Sequence, residues 1–112
     1  MERTVIFGAS RGLGAELAKQ LAGQSINVTG FARKEDRLKK ISESFPFFEY
    51  HVADVSIAPN QERALNLLFE LPNVTKIFCM VGGGPYGLFQ ERAFKDHEWA
   101  WQVTYVFPAR LV

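Results

Sequence analysis

Short apolar runs alternate with longer amphipathic stretches along this chain. Val5 to Gly8 reads as a first strand. Gly12 to about Ala22 reads as a helix, with an apolar stripe at Leu13, Leu17 and Leu21, and Gly23-Gln24 supplies a stop. Ile26 to Phe31 is the second strand. Lys34 to Ser44 is the second helix, with Leu38, Ile41 and Phe45 on one face. Phe47 to Val52 is the third strand. A helix from about Asn60 to Leu71 follows, with Leu65, Leu68 and Phe69 inward and Pro59 near its start, where a missing N–H costs little. Thr75 to Val81 is the fourth strand, and its nearly continuous apolar run predicts burial on both faces. A Gly- and Pro-rich loop spans Gly82 to Gly87. A final helix is predicted from about Lys95 to the chain end, kinked or broken at Pro108.

This β-α alternation predicts an α/β fold, a doubly wound parallel sheet with right-handed crossovers. The expected strand order is 3-2-1-4, in a sheet truncated before a fifth strand. Residues 1–112 read as one domain, without internal repeat, low-complexity tract or linker. In that order the glycine loops after strands one and four meet at the carboxyl edge. Ligands bind there in such sheets.

The first of those loops carries the chemistry. Gly8-Ala9-Ser10-Arg11-Gly12-Leu13-Gly14 sits between a strand and a helix. Glycine allows the tight turn and a close backbone approach, and the first N–H groups of the helix are free to meet a pyrophosphate. A P-loop is excluded because Gly-Lys-Ser/Thr is missing, and the spacing is not GxGxxG, since Leu17 stands at its third glycine.

The observed glycine spacing resembles the TGxxxGxG fingerprint of the short-chain dehydrogenase/reductase family, a Rossmann-fold family. Gly8, Gly12 and Gly14 match its glycines, and Phe7 replaces its threonine. Asp54-Val55 resembles the pair whose aspartate accepts a hydrogen bond from the adenine amino group. Val81-Gly82-Gly83-Gly84 stands where the family has Asn-Asn-Ala-Gly, and Thr104 stands at the place of a catalytic asparagine. The resemblance implies a nicotinamide dinucleotide held by Gly8, Ser10, Arg11, Gly12, Leu13, Gly14, Arg33, Asp54, Val55, Gly82, Gly83 and Gly84. NADP is favoured over NAD, because the second strand runs into Arg33 where NAD enzymes place an acidic residue. Arg11 and Arg33 suit a 2′-phosphate through charge-assisted hydrogen bonds, and Ser10 is a further donor.

The family's chemistry also needs a serine and a Tyr-x-x-x-Lys. Tyr50, Tyr86 and Tyr105 are followed four residues later by Asp54, Gln90 and Ala109, and the last serine is Ser56. No catalytic residue is therefore assigned, and Thr104 is a weak substitute for an amide. His51 and His97 fall in no triad or metal spacing, Tyr86 is a candidate for lining a substrate pocket, and no metal site is expected. The sequence thus predicts the cofactor-binding portion of an NADP(H)-dependent oxidoreductase acting on a small carbonyl or alcohol substrate. A non-catalytic dinucleotide-binding module or a truncated inactive product are the alternatives.

Composition narrows the remaining classes. The net charge of +1 argues against nucleic-acid binding. The single cysteine, Cys79, excludes an intrachain disulfide and reads as a small core residue. No apolar run approaches the roughly 18 residues of a membrane span, and no signal-peptide pattern opens the chain. A cytoplasmic protein is expected. Val103, Val106, Phe107, Leu111 and Val112 in the last helix need cover, which predicts a homo-oligomer through that helix.

Overall fold

The computed structural model describes residues 2–10, 12–55, 57–81, 102 and 106–111. Four strands, β1 (Arg3–Phe7), β2 (Asn27–Ala32), β3 (Phe48–Val52) and β4 (Val74–Cys79), form one parallel sheet in the order β3-β2-β1-β4. The helices between them are α1 (Gly12–Gly23), α2 (Glu35–Ser44) and α3 (Ala58–Glu70). A short helix, α4 (Phe107–Leu111), closes the described chain, with Pro108 at its second position. The expected fold class and strand order are both present.

Period-two alternation divides the core between two faces. Ile6, Val28, Ala32 and Phe48 point to one face, where they meet Ala15, Ala18 and Ala22 of α1 and Leu38 and Ile41 of α2. Val5, Phe7 and Phe31 point to the other, where they meet Ala64 and Leu68 of α3 and Phe107 of α4. Gly30 sits mid-strand in β2, and a Cβ there would come within 2.7 Å of the Phe48 ring and 2.8 Å of the Ala9 Cβ. The close packing of Ala9 and Phe48 onto the sheet therefore depends on this glycine.

Helix faces differ from the expected leucine stripes. Alanines, not leucines, form the inner face of α1; Leu17 and Leu21 flank it, and Leu13 is 78% exposed. A helix that lies this close to a sheet leaves room only for small side chains. In α3 the inward residues are Gln61, Ala64 and Leu68, with Leu65 at the margin, and Phe69 is 81% exposed. Phe69 follows Leu68 by one position, about 100° around the helix, and with the inner face set by Gln61, Ala64 and Leu68 it falls on the outer side. Only α2 carries its predicted face intact.

The fourth strand also departs from expectation. Its residues are mostly exposed rather than buried on both sides, with Ile77 at 44% and Phe78 at 37%. The reason is its place in the sheet: β4 is an edge paired only to β1 among the described residues. An apolar run marks a strand suited to burial, but its neighbours decide how much burial it receives.

Phe107 reverses another expectation. It is fully buried, its ring 4.9 Å from that of Phe7 in an edge-to-face arrangement. It is thus covered by its own chain and is not free for a subunit interface. Val103 and Val112 lie outside the described residues, as does most of the predicted final helix.

Candidate cofactor site

A cleft of about 430 Å³ opens at the carboxyl edge of the sheet. It lies between the turn after β1, the ends of β2 and β4, and the loop after β3. This is where a sheet of order 3-2-1-4 reverses its winding, so strand order alone leaves a crevice there.

The turn after β1 is built by glycines with different duties. Gly8 has φ +88°, and a Cβ there would lie 2.9–3.0 Å from the backbone of Met80 and Val81. It therefore lets the turn pass directly against the end of β4. A Cβ on Gly14 would overlap the Gly8 carbonyl oxygen, so Gly14 lets α1 start tightly against the turn. Gly12 differs from both. Its φ is +63°, yet no heavy atom lies within 4 Å of where its Cβ would be. Among the described residues, its chain neighbours apart, nothing fills that space, and Gly12 lines the cleft.

Backbone hydrogen bonds hold the walls. Gly8 N–H donates to the Phe31 carbonyl at 2.7 Å, and Met80 N–H donates to the Phe7 carbonyl at 2.8 Å. The turn is thereby tied to β2 on one side and to β4 on the other. Ala53 N–H donates to the Ala32 carbonyl at 2.9 Å, which carries the β2–β3 pairing into the loop after β3.

The cleft gathers Gly8, Ser10, Gly12, Leu13, Gly14, Arg33, Asp54 and Val55, eight of the residues expected from sequence. The others, Arg11, Gly82, Gly83 and Gly84, lie outside the described residues, as do Thr104, Tyr86 and His97. Met80 and Val81, which lead into the second glycine loop, line the cleft. His51 is half-buried with its ring 5.2 Å from that of Phe31, a packing role. Among the described residues no group of His, Cys, Asp and Glu could hold a metal ion.

Two features of the site were not foreseen. The first is an aromatic layer beneath it: Phe7 stacks on Phe31 at 4.7 Å, and both rings are fully buried. Phe7, the departure from the family's threonine, is thus a core residue joining β1, β2 and α4. The second is Gln61 of α3. Its Nε2 donates to the Val55 carbonyl at 2.7 Å and to Gln102 Oε1 at 2.8 Å. It pins the loop carrying Asp54 and Val55, while Arg63 Nη2 holds the Val52 carbonyl at 3.1 Å. A polar residue four positions into a helix, on the side that Ala64 and Leu68 mark as inner, was the available signal for Gln61.

Cys79 sits at the end of β4 beside the site. Burial pushes its thiol pKa up, and a backbone hydrogen bond with Val81 offsets part of that shift. The neutral thiol is therefore favoured, as for a packing residue and unlike an activated nucleophile.

Likeness to known proteins agrees with this geometry. No protein-family profile matches the chain. A dehydrogenase/reductase SDR family protein 7-like of Dictyostelium discoideum is 51% identical over 41 residues, 37% of this chain and 13% of that protein. The structure of an alcohol dehydrogenase from the archaeon Thermococcus sibiricus, complexed with 5-hydroxy-NADP, superposes with a TM-score of 0.84. It is 28% identical, over 98% of this chain and 49% of that one. A short-chain dehydrogenase from Sphingobium yanoikuyae in complex with NADPH superposes with a TM-score of 0.89 at 21% identity, over 99% of this chain and 46% of that one. This chain spans about half the length of those solved structures. By strand order, glycine turn and these likenesses, the chain is similar to the short-chain dehydrogenases/reductases and shares their fold.

Proposed function

We propose that residues 1–112 form the NADP(H)-binding part of a short-chain oxidoreductase domain. The reaction of the whole protein is hydride transfer between NADP(H) and a small carbonyl or alcohol substrate. The observation that carries this reading is the open space at Gly12. The turn is pressed against β4 at Gly8 and against α1 at Gly14, but at Gly12, which lines the cleft, no described residue beyond its neighbours stands against it. A pyrophosphate fits there, against the first turn of α1 and its unpaired N–H groups.

The rest of the cleft fits the remainder of a dinucleotide. Asp54 and Val55 form the wall for the adenine. Arg33 and Ser10 supply a cation and a hydroxyl for a 2′-phosphate. Arg11, next in sequence to Ser10, is assigned to the same phosphate. Gly82 to Gly84, next in sequence after Val81, are assigned to the nicotinamide ribose by the resemblance. When bound, the cofactor supplies or accepts the hydride. The complexes of the Thermococcus and Sphingobium proteins with 5-hydroxy-NADP and NADPH support the same cofactor here.

Residues 1–112 contain no Tyr-x-x-x-Lys. That observation favours a second reading, a dinucleotide-binding module that does not itself catalyse. The two readings share the cofactor and part on turnover. The decisive variant for the cofactor is Arg33→Glu. Losing a charge-assisted hydrogen bond and gaining a like charge weakens NADPH binding by roughly ten- to a hundredfold. NADH binding stays within a few-fold, as calorimetric titration would show. Equal losses for both nucleotides would remove the 2′-phosphate assignment.

A cytoplasmic location and self-association belong to the same reading. No helix among the described residues is long and apolar enough to cross a membrane. Ile77 and Phe78 stand exposed on the edge strand β4. Sedimentation at rising protein concentration should show a species larger than the monomer, and a monomer throughout would exclude self-association.

A further inference from the structure

A second groove of about 410 Å³, sharing Ser10 with the cofactor cleft, runs between α1 and α2. Its chemistry is unlike that of the cleft. Lys19 of α1 and Arg37 and Lys40 of α2 line it, and no carboxylate does. Among the described residues none of the three cations makes an ion pair, and the pair that does form, Arg3–Glu49, lies on the strands. Ile41 and Phe45 give the same groove an apolar wall. Helix surfaces rich in charge usually place opposite signs three or four positions apart. Asp36 and Glu43 stand four before and three after Lys40, and Glu16 three before Lys19, yet among the described residues none of them closes an ion pair, and Arg37, Lys40 and Lys19 line one groove. Like charges gathered unpaired around an apolar wall cost self-repulsion, which a bound anion would relieve. The volume is in the range of small-molecule sites, roughly 300–1,000 Å³.

We propose that this groove is a second ligand site, taking an anionic amphiphile: a phosphate monoester or carboxylate carried on a short apolar chain. The head group meets Lys19, Arg37 and Lys40, and the chain lies along Ile41 and Phe45. Because Ser10 lines both cavities, a ligand here adjoins the cofactor turn.

The test is calorimetric titration of the 112-residue chain with octyl phosphate, octanoate, octanol and inorganic phosphate, at low and high salt. Saturable binding of octyl phosphate or octanoate is expected, and whichever binds tighter identifies the head group. Octanol and inorganic phosphate should each bind at least about tenfold more weakly, since each lacks half of the recognition. Salt should weaken the binding. Arg37→Gln with Lys40→Gln should reduce affinity about tenfold or more, while Lys39→Gln, on the same helix but outside the groove, should leave it unchanged. All three residues are exposed, and circular dichroism would check that each variant stays folded. No binding of either amphiphile, octanol binding as well as they do, inorganic phosphate binding as well as they do, or indifference to Arg37→Gln with Lys40→Gln would each overturn the proposal.

Discussion

At the scale of single residues, glycines with the same sequence signature do different work. Gly8 and Gly14 solve packing problems within the protein, whereas Gly12 leaves space that the described residues do not use. Their substitutions should therefore separate. Gly8→Ala puts a Cβ against the backbone of Met80 and Val81 at an unfavourable φ, and should destabilise the fold by about 2 kcal/mol or more. Gly12→Ala meets no atom and carries only the strain of its φ, about 1 kcal/mol. It should nevertheless weaken NADPH binding at least about tenfold, because the methyl group enters the phosphate space. Denaturant melts together with titrations would separate the two effects. Equal stability losses, or full NADPH affinity in folded Gly12→Ala, would contradict these roles. The spacing of the three glycines was legible in the sequence. Their division of labour was not, because it depends on which neighbour reaches each Cα, and Met80 is distant in sequence.

At the scale of elements, the sequence marks where a strand or helix stands more clearly than which side faces in. The four strands lie within a residue or two of their predicted places. The inner face of α1 was misread because leucine is a stronger hydrophobic signal than alanine, yet only alanine fits close to the sheet. The inner face of α3 hid a polar residue. Gln61 is fully buried, and its amide holds the loop of Asp54 and Val55 through the Val55 carbonyl. Gln61→Ala leaves that carbonyl without its side-chain donor and removes the link to Gln102. It should cost about 1–3 kcal/mol of stability. It should also loosen nucleotide binding, because a wall of the cleft loses its brace. A variant with unchanged stability and affinity would show that the loop is held by other means. Phe7 belongs at this scale too. Read as a change at one family position, it is the ring on which β2 and α4 converge.

At the scale of the molecule, topology assembles the site. The turn after β1 and the ends of β2 and β4 meet because the sheet runs 3-2-1-4. The parallel sheet was legible from the β-α alternation and the right-handed rule for crossovers, and its order from the resemblance to a Rossmann-fold family. The exposure of β4 was not legible from its own residues, since an apolar strand reads the same at a centre or an edge. The basic groove between α1 and α2 was equally hidden, because Lys19 and Arg37 become neighbours only when the two helices pack side by side. The central claim is that this assembly holds NADP(H). It is tested most directly by titrating the purified chain with NADPH and with NADH. Saturable binding with NADPH preferred is the predicted result. A folded chain that binds neither, or that prefers NADH, would contradict it.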